Sequence, residues 1–353
     1  MHHPRRLVSA GCALLLVATT AGTTVAETPA AGPSLIRIDE ANGFVTVGER
    51  VTPHGAVVAS FRSATATATV EVVGGSGSAV SFHTSAPAPG RPGTLQVSMS
   101  AKRPKSAADA TAYRDSGRTL VGDLMALGMS RDEAEREFGD LASLDGGSPV
   151  ISKQLVSVAG APSGTQMAAA QTTAGTQATG TQAAGTPYAT QCASINVGGG
   201  RITGYGCSTF FLVHQSGSDW WLMTKMKVSA HSNDESWFSP KRLTQLGWRV
   251  TWGAGNVLHD WDPYSTQPVG QCVTLTVKSS SPWADVSVQG NVCPNSLGPW
   301  AVTTSRSGGI WNGMERGTDY EGALATQAVH SPPGAPASFQ SAWTLSYCDM
   351  WCN

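Results

Sequence analysis

The sequence predicts a mainly β protein, in which a C-terminal, disulfide-stapled antiparallel β-sandwich with a jelly-roll-like strand pattern follows a small α+β domain and a flexible linker. Three observations carry that prediction. Alternating apolar and polar residues recur along most of the chain, the period of a strand with one buried face. The 353 residues include 40 Gly and 20 Pro, gathered between those runs at the close spacing that the turns of an all-β domain require. Only 13% of residues are charged, roughly half the share of an average soluble domain.

The first 26 residues combine Arg5 and Arg6, an apolar stretch from Leu7 to Val17 and small residues closing on Thr24, Val25 and Ala26. That order is the plan of a secretory signal peptide, so the chain is expected to be secreted. No later window approaches the roughly 18 uninterrupted apolar residues of a membrane-spanning helix. Cys12 lies inside this leader, where a lipoprotein cleavage box would need Leu in place of Ser9.

Residues 27–156 read as the α+β domain. Ala64, Ala66, Ala68, Val70 and Val72 alternate with polar residues, as do Leu95, Val97 and Met99, and each run predicts a half-buried strand. A helical hairpin is expected over about residues 107–141. Tyr113, Leu120, Leu124 and Leu127 share one helical stripe that stops at Gly128, and Ser130 with Glu133 forms a capping box for the second helix. Residues 157–190 are Ala, Gly, Thr, Gln and Ser with hardly a bulky side chain, too little apolar surface to offset the entropy of ordering, so they read as a flexible linker.

Residues 191–353 form the expected sandwich. Thr224, Met226, Val228 and Ala230 alternate with Lys225, Lys227, Ser229 and His231. Val273–Val277 and Ala284–Val288 alternate likewise, as do Phe339, Ser341, Trp343, Leu345 and Tyr347. The lysines are expected on a solvated strand face. All eleven tryptophans lie here, with Cys192, Cys207, Cys272, Cys293, Cys348 and Cys352. Six cysteines in an exported chain predict three disulfides in any of fifteen connectivities. Spacing favours 192 with 207, 272 with 293, and 348 with 352, the middle pair closing the ends of one hairpin.

Function is far less legible. A net charge of −1 gives no electrostatic case for nucleic acid. No Gly-x-Ser-x-Gly elbow, His-Glu-x-x-His or phosphate-cradling loop occurs. Asp319 and Glu321 would stand about 7 Å apart on one face of a strand, a spacing that an inverting glycoside hydrolase tolerates. Asp260 and Asp262, in a segment read as a loop, could offer oxygens to a structural calcium ion, though two carboxylates are too few for a cage. No other cofactor is expected. Tryptophan presents a flat apolar face that stacks on sugar rings. Adjacent Trp220 and Trp221 point to opposite faces of a strand, so one leaves the core unless a second layer covers it. With Trp261 and Tyr264 they make the expected ligand site. The leading expectation is therefore a secreted protein that binds a polysaccharide, a cell-envelope glycan or another cell-surface component. The alternatives are a secreted polymer hydrolase and a membrane-active or structural surface protein.

Overall fold

The computed structural model describes residues 36–38, 45–52, 56–63, 67–74, 80–142, 186–234, 240–263, 265–266, 273–280, 285–292, 297–314 and 320–349. The signal peptide at 1–26 and the linker up to residue 185 lie outside these residues, as do Tyr264, Cys272, Cys293, Asp319 and Cys352. Strands β1 (Ile36–Ile38), β2 (Val45–Val51), β3 (Val57–Arg62), β4 (Thr67–Val73), β5 (Val80–Ser85) and β6 (Gly93–Lys102) come first. Three short helices follow, α1 (Ala107–Asp115), α2 (Leu120–Ala126) and α3 (Arg131–Ala142). The rest is strand: β7 (Thr186–Val197), β8 (Ile202–Ser216), β9 (Asp219–Ser232), β10 (Lys241–Trp252), β11 (Val257–Asp262), β12 (Val273–Ser280), β13 (Asp285–Val292), β14 (Leu297–Pro299), β15 (Arg306–Asn312), β16 (Glu321–Ser331) and β17 (Ser338–Asp349).

The protein is mainly β and sandwich-like. A seven-stranded sheet ordered β1-β5-β6-β17-β10-β15-β14 faces an eight-stranded sheet ordered β11-β16-β9-β8-β7-β4-β3-β2, and β12 and β13 pair as a separate hairpin. The pairing of β1 with β5 is parallel. The others are antiparallel.

Residues before and after the expected linker contribute to both sheets, since β4 pairs with β7 and β6 with β17. The described residues of the two expected domains, 27–156 and 191–353, are thus corrected to one body. The end of the expected linker is ordered too: Thr186–Thr190 open β7, and Tyr188 is buried. Alternation marks which face of a strand is buried and is silent about the strand beside it, so this merger had no local signal.

Between the sheets the expected inward sets hold. Leu95, Val97 and Met99 on β6 and Trp343, Leu345 and Tyr347 on β17 are fully buried. Trp248 and Trp343 stand directly opposite each other on β10 and β17, their rings parallel within 5° at 6.0 Å. Opposing them across the sandwich, β8 carries Gly204 and Gly206, whose missing side chains make room for the indoles. Two glutamines bridge the same interior. Gln191 donates to Ser100 O and accepts from Ser341 Oγ, while Gln327 accepts from Trp252 Nε1 and donates to Val250 O and Ser307 O.

The helices cover the other face of the eight-stranded sheet. The single helix expected from Ala107 to Leu127 is interrupted after Asp115, where Gly117 adopts φ 72, a left-handed conformation that ends a helix readily only at glycine. The Ser130–Glu133 capping box forms as expected: Glu133 N donates to Ser130 Oγ, and Glu133 Oε2 accepts from Ser130 N. Helix α3 then lies over β9. Lys227 Nζ donates to Glu137 O, and Ser229 Oγ donates to Glu137 Oε2 at 3.0 Å. Lys227 is therefore buried, and Lys225 on the same strand is buried as well, a correction to the solvated face that their spacing predicted. A polar second face reads as wet in one dimension, yet here another layer covers it.

Candidate functional site

The tryptophan site expected from sequence does not assemble as a surface. Trp220 and Trp221 are both buried. Trp220 packs beneath the Arg103 guanidinium, 5.0 Å from its ring. Trp221 leaves the sandwich interior as expected, but His330 stacks on it at 4.5 Å and His259 meets it edge-on at 5.3 Å. Trp261 is half-buried against the core. Of the eight tryptophans among the described residues, Trp220, Trp221, Trp248, Trp252, Trp311 and Trp343 are buried, and Trp261 and Trp300 are half-buried. Arg103 and His330 thus cover the ring faces of the adjacent pair, Trp220 and Trp221.

The segment read as a loop around Asp260 is strand β11. Asp260 is buried, and its Oδ1 accepts from Trp261 N. Asp262 precedes a cis peptide at Pro263. Among the described residues, no group of three or more His, Cys, Asp or Glu is placed to hold a metal ion. Of the expected disulfides, Cys192–Cys207 forms between directly paired positions of β7 and β8. Cys272 and Cys293 fall immediately beyond the paired Val273 and Val292 of the β12–β13 hairpin, outside the described residues, and Cys348 is buried at the end of β17.

A different constellation collects at the outer face of the eight-stranded sheet, under α3. Register places Glu71, Ser194, Tyr205 and Ser229 in one row across β4, β7, β8 and β9. The next row toward the strand ends carries Asn196, Thr203 and His231, with Thr203 Oγ1 donating to Asn196 Oδ1 at 3.1 Å. Tyr320, immediately before β16, lays its ring 4.1 Å from that of His231. The Arg136 guanidinium of α3 lies 5.8 Å from the same tyrosine ring, and Glu133 and Glu137 come from the same helix. Ser194 Oγ, buried at the floor of this bay, has no hydrogen-bond partner among the described residues.

The titrating groups of the bay are shifted in different directions, each by its own surroundings. Burial raises Glu71 above the usual carboxylate range, opposed by Arg50. Glu133 is held below it by the Ser130 hydroxyl and backbone N–H. Tyr205 is raised by burial and then by the two carboxylates, Glu133 and Glu71. Tyr320 is raised chiefly by burial, with Glu133 adding to it. His231 is held below the ordinary imidazole value by burial, against the pull of Glu133 and Glu137.

A pH dependence follows from the histidines. His259 is also lowered, by burial and then by His330. In the unfolded chain each imidazole takes up a proton as the pH falls through about 6.5, whereas the folded protein resists that proton. Their contribution to stability is complete above that value and is lost as the pH falls below it. The melting temperature is expected to drop between pH 7 and pH 5, and His231→Gln combined with His259→Gln should flatten that drop. Parallel melts of the two proteins with equal slopes would refute this.

None of these residues was a candidate from sequence. Asp319 and Glu321 flank Tyr320 in the chain, but Glu321 pairs with Ala230, whose side chain faces the sandwich interior. Positions 71, 133, 205, 231 and 320 share no motif, and only the sheet register and α3 bring them together. No known protein-family profile matches the chain, and no curated protein sequence matches it.

Proposed function

We propose that the protein is a secreted glycan-binding protein that receives its ligand in the bay beneath α3. The observation that carries this reading is the gathering of Tyr205, Tyr320 and His231 beside Glu71 and Glu133, from five separate segments of the chain. A sugar ring has apolar C–H faces and a rim of hydroxyls. Aromatic rings take the former, and carboxylates, which accept strong charge-assisted hydrogen bonds, take the latter. The buried Cys192–Cys207 disulfide fits an oxidising compartment, and none of the described helices is long and apolar enough to cross a membrane.

The test is co-sedimentation of the full-length oxidised protein with insoluble cellulose, chitin and peptidoglycan. Pelleting with one of them is expected, and Tyr320→Ala or His231→Ala should weaken it about tenfold, the effect of removing one well-placed contact of about 1.4 kcal/mol. Trp261→Ala should leave it unchanged. Pelleting with none, or binding that survives both bay variants, overturns the assignment.

One observation favours a hydrolytic second reading. Glu71 and Glu133 act on the same tyrosine and are shifted in opposite directions, the division of labour between a general acid and an ionised carboxylate. Under that reading Glu71→Gln abolishes release of reducing ends from the bound polymer while pelleting persists. If the unaltered protein releases none from any of the three polymers, the bay is a binding site alone.

A further inference from the structure

The seven-stranded sheet has an outer face of its own, on the opposite side of the molecule from the bay. There Arg249 on β10 is paired with Gly308 on β15, so Arg306, two residues from Gly308, stands diagonally beside Arg249 on the same face. Both arginines are half-buried. Trp300 lies over Gly247, whose absent side chain would stand 3.1 Å from the indole, and the Arg249 guanidinium sits 4.5 Å above the same ring. Gly308 is equally required, since a Cβ there would come within 2.6 Å of Arg249 Cβ.

The turn from β14 to β15 is shaped to hold this group. Trp300 N donates to Gly308 O at 2.8 Å, and the next residue, Ala301, has φ 52, a left-handed conformation that a residue with a Cβ rarely adopts. Its carbonyl oxygen accepts from Arg306 Nε at 2.8 Å, a bond that engages one of the three guanidinium nitrogens. Neither arginine has a carboxylate partner among the described residues, and the two repel each other: burial and then Arg306 hold Arg249 below its ordinary value. Strained backbone and juxtaposed like charges are costs that a folded chain carries at functional sites.

We propose that Arg249, Arg306 and the Trp300 platform form an oxyanion-binding site on the outer face of the seven-stranded sheet, taking the carboxylate or phosphate group of an acidic saccharide. Guanidinium groups donate in a planar fork that matches such oxygens, and an aromatic face beneath one of them reduces the freedom lost on binding. The arrangement suits a polymer that carries its charge on sugar rings, and it stands apart from the bay, so the two sites are separable.

The experiment is calorimetric titration of the full-length oxidised protein at low ionic strength with glucuronate, glucose 6-phosphate, inorganic phosphate and glucose. Saturable binding of glucuronate or of glucose 6-phosphate, at least tenfold tighter than glucose, is expected. Preference between those two identifies carboxylate or phosphate as the natural group. Saturation by inorganic phosphate as tight as by glucose 6-phosphate would overturn the saccharide part of the proposal. Arg249→Gln and Arg306→Gln should each weaken binding about tenfold or more, as loss of a charge-assisted pair does, whereas Trp261→Ala, on β11 of the other sheet, should not change it. Arg306→Lys keeps the charge without the fork and should fall between. Unaltered melting temperatures would show that the variants fold. Absence of saturation with every anion, or affinity unchanged in both glutamine variants, would overturn the proposal.

Discussion

Gly206→Ala is expected to destabilise the protein by about 3 kcal/mol, at the upper end of what one added methyl costs in a close-packed core. The new Cβ would fall well inside contact distance of Trp248 Cζ3, 2.7 Å from Cε3 and 3.1 Å from Trp343 Cδ2. Trp248 cannot swing aside, because it is fully buried and stacked on Trp343. Urea denaturation checks the magnitude. The cause is checked by adding Trp248→Phe, which removes the ring atoms that collide. The double variant should be less unstable than the sum of the two single changes, the mark of residues in contact. A Gly206→Ala protein as stable as the original would show that the sheets have room to part.

Gln327→Met is expected to cost about 2–4 kcal/mol despite its similar volume. The glutamine is fully buried and serves three partners, accepting from Trp252 Nε1 at 2.7 Å and donating to Val250 O at 3.2 Å and Ser307 O at 2.6 Å. Methionine fills the space and leaves an indole N–H without its acceptor in a dry interior, and each such orphan costs about 1–3 kcal/mol. Trp252→Phe in the same background should recover part of the loss, since it removes the orphan donor. If the single variant melted with the unaltered protein, water would have to reach Trp252, and the interior would be wetter than its burial implies.

Both predictions concern residues that are plain in sequence. Neither Gly206 nor Gln327 belongs to a motif. Each is fixed in its role by what the opposite sheet places against it. The same holds for Lys227, whose alternation with Met226 and Val228 is plain in sequence and whose burial is not, because α3 supplies a third layer that no local pattern announces. The bay shows the limit most clearly. Glu71, Tyr205, His231 and Tyr320 come together through four strand pairings and the capping box that starts α3. Only the capping box has a signature in sequence.

Local chemistry was legible wherever the cause is local. Leu95, Val97 and Met99 had to face inward, because only one face of a strand with that period can leave water. Ser130 and Glu133 had to open a helix, because its first N–H groups need acceptors, and Cys192 and Cys207 were near enough in the chain to find each other. The partner of each strand was decided only in three dimensions. β6 joins β17 across more than two hundred residues, and alternation specifies a face without naming a neighbour. Tertiary packing alone merged the two expected domains, buried the paired tryptophans and carried the candidate sites to opposite sides of the sandwich. The reason is that apolar surface is hidden by whichever layer reaches it first, and a sequence records the surface without the layer.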